Sequence, residues 1–220
     1  MRNITVAISF LTLFIFTSCS NSNQVLLPNE SYNSENNSVS IMLIESEHLF
    51  NYFPNHTYGA LRSTERNIFD NQMLKLFSDQ TQSPVVGKKR NDNIDPSNFE
   101  LREFETNSTK FTIISPKAGT DLLSSEDSSR YTLILDQYHF VSYQIGNGGG
   151  SYAGHEQETQ NKIRFDLSYI IWDNKLQKEI GWGKVSSDHL LYKSDIAKSY
   201  QNVISSVFQK IVNVSPFQPV

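Results

Sequence analysis

The sequence is poor in cysteine, in basic charge and in long apolar runs. It has one cysteine, Cys19, in 220 residues, so the chain cannot form an internal disulfide and its stability must come from a packed core. The 19 Lys and Arg are outnumbered by 23 Asp and Glu, which gives a formal net charge of −4. This modest acidity argues against nucleic acid as a partner, because that partner requires a basic surface. It also argues against a surface that lies on anionic lipid.

An uncharged and mostly apolar run occupies residues 4–16, directly after Arg2 and Asn3. The run is too short to cross a membrane as a stable helix, since about 20 residues are needed. One basic residue, a short apolar run and the small residues Thr17 and Ser18 together form the pattern of an export signal. We therefore predict that residues 1–18 are a signal peptide, and we expect the cell to cleave it.

The end of this run, Phe16-Thr17-Ser18-Cys19, resembles the lipobox of bacterial lipoproteins. In that motif a Leu-type residue, two small residues and a cysteine end the apolar run. The resemblance implies that Cys19 is diacylated and anchors the mature chain firmly in a cell-envelope membrane, leaving no free thiol. Phe16 departs from the usual aliphatic residue, and ordinary cleavage near Ser18 is the alternative. Ser20 lacks the Asp associated with inner-membrane retention in some bacteria, which favours the outer membrane.

The segment after the cysteine is polar and short of apolar surface. Residues 29–38 are almost entirely Asn, Ser and Glu. Such a composition does not bury enough apolar area to offset the entropy of ordering, so we interpret residues 19–38 as the lipidated cysteine followed by a flexible tether. Residues 39–220 then remain, which is enough for one domain with a real core.

The first half of this domain is predicted to contain a buried strand and a helix. Residues 39–44 are a short apolar run with β-branched residues, which is typical of a strand with both faces covered. Residues 60–80 carry apolar side chains at helical spacing, with Arg62, Glu65, Arg66 and Asp70 on the face predicted to meet water. Residues 82–98, which include the basic run 87–90, are interpreted as a solvated loop rather than an anion site.

The second half shows period-two alternation and then one clear helix. Short strands are expected over 99–104 and 111–115. A long strand is predicted over 131–143, with Leu133 and Leu135 on one side and Ile134 and Tyr138 on the other.

Residues 163–172 predict an antiparallel strand with a wet face formed by Arg164, Asp166 and Ser168. It turns into a hairpin that sets Tyr169 opposite Trp182 if the loop spans 174–177.

Residues 196–212 repeat apolar side chains at spacings of three and four, which predicts a helix capped by Ser194 or Asp195 and stopped by Pro216. The whole order favours an α+β fold, a two-layer domain of two main helices against a mostly antiparallel sheet. The last 90 residues also resemble small envelope lipoproteins that assist outer-membrane secretion or cell-wall synthases. Those proteins have an aromatic-Asp near a strand turn, as in Trp172-Asp173 here.

Three groups of residues are candidates for chemistry. The glycine-rich stretch 146–152 lacks the Lys-Ser/Thr and the helix that a phosphate loop requires, so it is interpreted as a loop in which Tyr152 is a possible partner contact. None of the five histidines forms a His-x-x-x-His pair, and His155-Glu156 comes nearest to a metal motif. Asp136 and Glu45 could form a carboxylate site, although a structural role for Asp136 is favoured.

These observations support two hypotheses. The favoured one is a non-catalytic, membrane-anchored envelope lipoprotein that binds another protein and serves as an interaction or assembly factor, with no cofactor and no metal. The alternative is an enzyme or a small-ligand-binding lipoprotein that faces the periplasm. A pocket with converging polar groups would favour the alternative.

Overall fold

The structure is a computed structural model of the 220-residue chain, and it describes residues 23–28, 37–45, 47–89, 94–123, 128–146 and 159–217. The elements, in chain order, are β1 (Gln24–Leu26), β2 (Val39–Leu43), α1 (Glu47–Tyr52), α2 (Ser63–Ser78), β3 (Val85–Lys89), a 3-10 turn (Pro96–Asn98), β4 (Phe99–Glu105), β5 (Lys110–Pro116), β6 (Tyr131–Gly146), β7 (Thr159–Asp173), β8 (Lys178–Leu190) and α3 (Ile196–Val212).

Six strands form one mixed sheet in the order β1-β8-β7-β6-β2-β3. Along β1, β8, β7 and β6 each strand is antiparallel to its neighbour, whereas β2 is parallel to both β6 and β3. The helix α2 lies in the crossover between the parallel strands β2 and β3, as a parallel connection requires. The predicted α+β class is confirmed, and the predicted strand at 39–44 lies inside the sheet with every residue of β2 buried.

One face of the sheet is covered by the two long helices. Phe69, Met73 and Phe77 point from α2 into a core that α3 shares. The apolar stripe of α3 is continuous, because three-and-four spacing keeps these side chains on one side of the helix. It consists of Tyr200, Val203, Ile204, Val207, Phe208, Ile211 and Val212.

The other face is covered by the antiparallel hairpin β4–β5 and by α1. Phe104, Phe111 and Ile113 pack there with Trp172 from β7 in a second apolar cluster. Two-layer packing of helices on a sheet was predicted, and this hairpin adds cover to the second face. The two clusters are separated only by the sheet itself, so residues that alternate along β6 and β7 supply both.

Two strands occur where no strand was predicted. β3 lies within the segment interpreted as a loop, where it pairs in parallel with β2. β1 lies within the predicted tether, so the interpretation of a flexible tether is wrong for residues 24–26, which pair with residues 181–183 of β8. The overlooked signal in the tether is Val25-Leu26-Leu27, three apolar residues between polar stretches.

Two β-bulges overturn details of the strand predictions. In β6 two residues, Gln137 and Tyr138, stand between the paired positions Asp136 and His139, so Tyr138 joins the helix-side core instead of facing away with Ile134. In β8 an additional residue at Ile180 shifts the register by one. Tyr169 therefore lies opposite Gly183, and Trp182 lies opposite Ile170 on the hairpin side. A bulge adds one residue to a strand, so the side chains beyond it exchange faces.

Two surface predictions are also wrong. Ser168 is fully buried and Asp166 is 9% exposed, because they lie beside the β6 bulge and not on an open wet face. Glu65 is buried, since its carboxylate accepts the Arg62 backbone N–H (2.8 Å) and the Tyr200 hydroxyl (3.3 Å) between α2 and α3. Within the described part of the chain, no helix has the length and apolarity needed to span a membrane.

Candidate functional site

The β6 bulge contains a buried carboxylate with several hydrogen-bond donors, that of Asp136. Its side chain is fully buried and accepts three hydrogen bonds. They come from His56 Nε2 (2.8 Å), the Ile114 backbone N–H (3.1 Å) and the Gln137 backbone N–H (2.7 Å). Because the three donors belong to the segment after α1, to β5 and to β6, one carboxylate joins three separate parts of the chain.

His56 is brought to Asp136 by the segment that comes after α1. A carboxylate only accepts hydrogen bonds, so the His56 Nε2 atom carries the shared hydrogen. The His56 side chain is 3% exposed. Its ring lies edge-on to the Tyr58 ring, with 4.8 Å between the ring centroids. The Tyr58 hydroxyl donates to the carbonyl oxygens of Leu49 (2.7 Å) and Phe53 (3.1 Å). Burial, together with the Asp136 charge, raises the pKa of Tyr58 to about 12.

Gln137 occupies the left-handed region of the backbone, with φ of 54°. This backbone conformation is uncommon for residues other than Gly, Asn or Asp, and it persists where the surrounding structure holds it in place. Here its amide donates to the Thr112 carbonyl oxygen (2.8 Å) and accepts from the Ser168 hydroxyl (3.3 Å). The bulge is thus fixed from both the hairpin and β7.

A second group of charges lies just past the end of β2. The Glu45 carboxylate accepts from Arg66 (2.8 Å), the Tyr138 hydroxyl (2.8 Å) and Lys88 (3.2 Å), and Lys88 also lies 3.5 Å from Asp70. Burial would raise the pKa of Glu45, but the bonds from Arg66 and Tyr138 and the charge of Lys88 hold it below its usual value. Burial and the nearby Glu45 charge raise the pKa of Tyr138.

These contacts decide what the two carboxylates can do. Asp136 and Glu45, the candidate carboxylate pair, bind different partners and share none among the described residues. An acid–base residue must reach the proton that it transfers. Asp136 is enclosed and both of its oxygens accept hydrogen bonds from within the fold, and Glu45 is held by two cations and a phenol. The geometry therefore supports a structural role for both.

The aromatic-Asp pair at the β7–β8 turn is also structural. Trp172 is buried, and Asp173 Oδ1 accepts the backbone N–H groups of Lys175 and Leu176, both at 2.9 Å. Its other oxygen lies 2.6 Å from Arg130. An Asp that bonds the backbone two or three residues on initiates a turn, which accounts for this residue here.

The remaining sequence-predicted positions divide into two groups. Cys19, Tyr152 and His155 lie outside the described residues, as does most of the glycine-rich stretch. In the basic run, Lys88 and Lys89 belong to β3, where Lys88 faces carboxylates and Lys89 donates to the Leu122 carbonyl oxygen (3.0 Å). Across the described ranges, no group of three or more His, Cys, Asp or Glu side chains is arranged to hold a metal ion.

An open depression lies at the far end of the long strands. It is lined by Thr159, Gln160 and Asn161 from β7 and by residues 190–194, at and after the end of β8. A ligand site typically encloses its ligand with a few converging polar groups. This depression is shallow, and its lining surface is mainly apolar. None of the titratable groups with a shifted pKa described above reaches it.

The sequence did not indicate the partners of the buried charges. His56 was noted only as one of five histidines. Arg66 was predicted to face water, Tyr138 was placed on the Ile134 side of the long strand, and Gln137 had no assigned role. The spacing of 80 residues between His56 and Asp136 carries no local signal. The one useful hint was Asp136 itself, a charged residue within an otherwise apolar strand.

Comparison with known proteins found no matching family model and no matching curated protein. The solved structures that are similar at low identity include the following three. A minor lipoprotein from Acinetobacter baumannii has 9% identity and a TM-score of 0.36, covering 84% of this chain and 98% of that chain. A Xanthomonas campestris protein of family DUF330 has 9% identity and a TM-score of 0.37, covering 87% and 90%.

A Helicobacter pylori protein described as a homolog of neuraminyllactose-binding hemagglutinin has 8% identity and a TM-score of 0.37, covering 86% of this chain and 89% of that chain. All three TM-scores lie below 0.5.

Proposed function

We propose that this protein is a non-catalytic lipoprotein of the bacterial cell envelope, held by lipid on Cys19, whose folded domain binds another protein. The observation that carries the proposal is the sequence Phe16-Thr17-Ser18-Cys19 at the end of a short apolar run. The outer membrane is the proposed location, because Ser20 comes directly after the cysteine. The proposed absence of catalysis is supported by the engagement of Asp136 and Glu45 in the fold.

Lipidation is tested by metabolic labelling with an alkyne palmitate in the producing cells. We expect label on the wild-type chain and none on Cys19→Ala, which should move from the membrane to the soluble envelope fraction. Ser22→Ala is the matched control and should keep both label and location. An unlabelled wild-type chain, or a labelled Cys19→Ala chain, would contradict the proposal. Separation of inner from outer membranes tests the location.

Partner binding is tested with a photo-crosslinking amino acid at Tyr152, the proposed contact. The control position is Lys75, whose side chain is 74% exposed on α2. We expect one defined crosslinked protein from position 152 and none from position 75, in cells where the chain is lipidated. The absence of a defined product at 152, together with saturable binding of a small molecule by the purified chain, would favour the ligand-binding alternative instead.

A further inference from the structure

The first described strand ties the N-terminal end of the folded chain to one edge of the sheet. Besides the three β1–β8 pairings, the Lys184 N–H donates to the Asn23 carbonyl oxygen (2.9 Å), and the Leu27 N–H donates to the Ile180 carbonyl oxygen (2.8 Å). The Tyr169 hydroxyl also donates to the Gln24 side chain (2.9 Å). These bonds fix the place where the chain leaves the domain.

Gly183 shows that the sequence is adapted to this docking. A Cβ at that position would lie 2.8 Å from the Asn23 carbonyl oxygen and 2.8 Å from the Tyr169 ring. Both distances are shorter than a carbon atom tolerates. Gly183 therefore lets β1 and the Tyr169 ring approach β8 closely, which is a recurrent reason for glycine within a strand.

The position of β1 leaves very little chain between the anchor and the domain. Asn23 lies four residues after Cys19, and four residues span at most about 14 Å when fully extended. If β1 were undocked, the first fixed point would move to Asn37, whose side chain donates to the Pro216 carbonyl oxygen (3.1 Å). Docking of β1 thus converts a long connection into a short one.

The surface around Asn23 is formed by the turn between β4 and β5, residues 106–109. The Ser108 hydroxyl donates to the Asn23 side chain, and Asn107 is exposed beside it. Lys110, at the base of the turn, lies 3.5 Å from Glu103 and 3.4 Å from Glu105, so it offsets one of these two negative charges and the turn has no excess of basic charge. Such a surface suits zwitterionic headgroups and does not require anionic lipid.

We propose that the lipid anchor holds the β1–β8 edge of the sheet and the β4–β5 turn at the lipid headgroups, with the β3 edge facing away from the membrane. This inference rests on the proposed lipidation of Cys19. Five strand spacings separate β1 from β3, or about 24 Å. This distance exceeds the span of about 14 Å available between Cys19 and Asn23. The two edges therefore differ in their access to lipid. The acidic net charge is no obstacle, because a covalent anchor and not charge supplies the attachment.

The test uses the lipidated protein in phosphatidylcholine vesicles that contain a nitroxide-headgroup lipid. With Cys19 acylated, an introduced cysteine is the single free thiol, and it is labelled with a fluorophore at Asn107→Cys on the turn or at Val86→Cys on β3. Val86 is 49% exposed, so its replacement disturbs no core contact. We expect quenching at position 107 to exceed that at 86 several-fold. Equal quenching, or stronger quenching at 86, would overturn the proposed orientation.

A longer tether provides the second variant. Insertion of a Gly/Ser linker of about 20 residues between Ser22 and Asn23 restores the reach that β1 docking removes. We expect quenching at 107 to fall to the level at 86, while the protein still floats with the vesicles. Unchanged quenching would overturn the proposal that the short tether sets the orientation. If the chain without the inserted linker failed to float with the vesicles, the lipidation of Cys19 itself would be overturned. The failure of the orientation and the failure of the lipidation are therefore distinguishable.

Discussion

Asp136 shows how one buried carboxylate can join three separate parts of a fold. Its carboxylate accepts hydrogen bonds from two backbone N–H groups and one imidazole N–H, which would otherwise be buried without an acceptor. A buried donor that loses its acceptor costs about 1–3 kcal/mol. The hydrogen bonds of Asp136 therefore stabilise the folded state.

We predict that Asp136→Ala lowers the free energy of unfolding by about 2–4 kcal/mol, because His56, Ile114 and Gln137 all lose their acceptor. Urea denaturation measures the change. Asp79→Ala is the matched control, since Asp79 forms an exposed pair with Lys75 and such pairs contribute little. A loss no greater than that of the control would show that the His56–Asp136 contact does not hold the domain together.

Glu45 makes a different prediction, which concerns pH. Its pKa is held below the usual value in the folded protein, so the unfolded chain takes up a proton first as the pH falls. The stabilisation from Glu45 is present above the ordinary glutamate pKa of about 4.3. It is lost as the pH falls through that value and below it.

We expect Glu45→Gln to lower stability at neutral pH and to reduce the loss of stability on acidification. Tyr138→Phe, which removes one of the donors to Glu45, should give a smaller change of the same sign. Urea midpoints at a series of pH values measure both effects. An acid dependence that is identical in wild type and Glu45→Gln would contradict the role assigned to the Glu45 group.

At the scale of elements, α3 offers a direct choice between two candidate caps. The Asp195 side chain accepts the Lys198 N–H at 3.0 Å, whereas Ser194 stands one residue too early. We predict that Asp195→Ala lowers the free energy of unfolding by about 1 kcal/mol. Ser194→Ala is the matched control and should have no measurable effect in the same thermal or urea unfolding experiment. The reverse order of effects would refute the assignment of the cap.

The strand faces were predictable only as far as the first bulge. Period-two alternation correctly placed Leu133, Leu135 and Ile134, but the prediction fails at Tyr138, after the additional residue of β6. The same happens in β8, where the predicted opposition of Tyr169 and Trp182 would hold without the additional residue at Ile180. Bulges depend on pairing with another strand, and local sequence patterns do not contain that information.

The two overlooked strands have a related explanation. β3 is Val85-Val86-Gly87-Lys88-Lys89, and β1 is three residues long; both lie at the edges of the sheet. Short or charged edge strands are common in native sheets because they discourage aggregation. The two lysines of β3 weaken its apolar signal, and the apolar run of β1 is too short to predict a strand on its own. The long helices and the central strands were predictable because each of them buries a whole stripe or face.

At the scale of the whole molecule, one sheet supports two cores, and this shared support links them energetically. Leu133 and Leu135 face the helices while Ile134 faces the hairpin, and β7 alternates in the same way. The class and the helix-side core could be predicted, because their signals are local. The polar clusters could not, because His56 reaches Asp136 only after α1, β5 and β6 have been assembled.

We therefore predict that both cores unfold in a single transition. Trp172 is buried in the hairpin-side cluster and Trp182 packs against it, so tryptophan fluorescence reports on that cluster, whereas far-ultraviolet circular dichroism is dominated by α2 and α3 on the other face. In urea the two signals should give the same midpoint, as two-state unfolding requires. A fluorescence midpoint clearly below the dichroism midpoint would mean that the β4–β5 hairpin detaches first and that the shared strands do not couple the two cores.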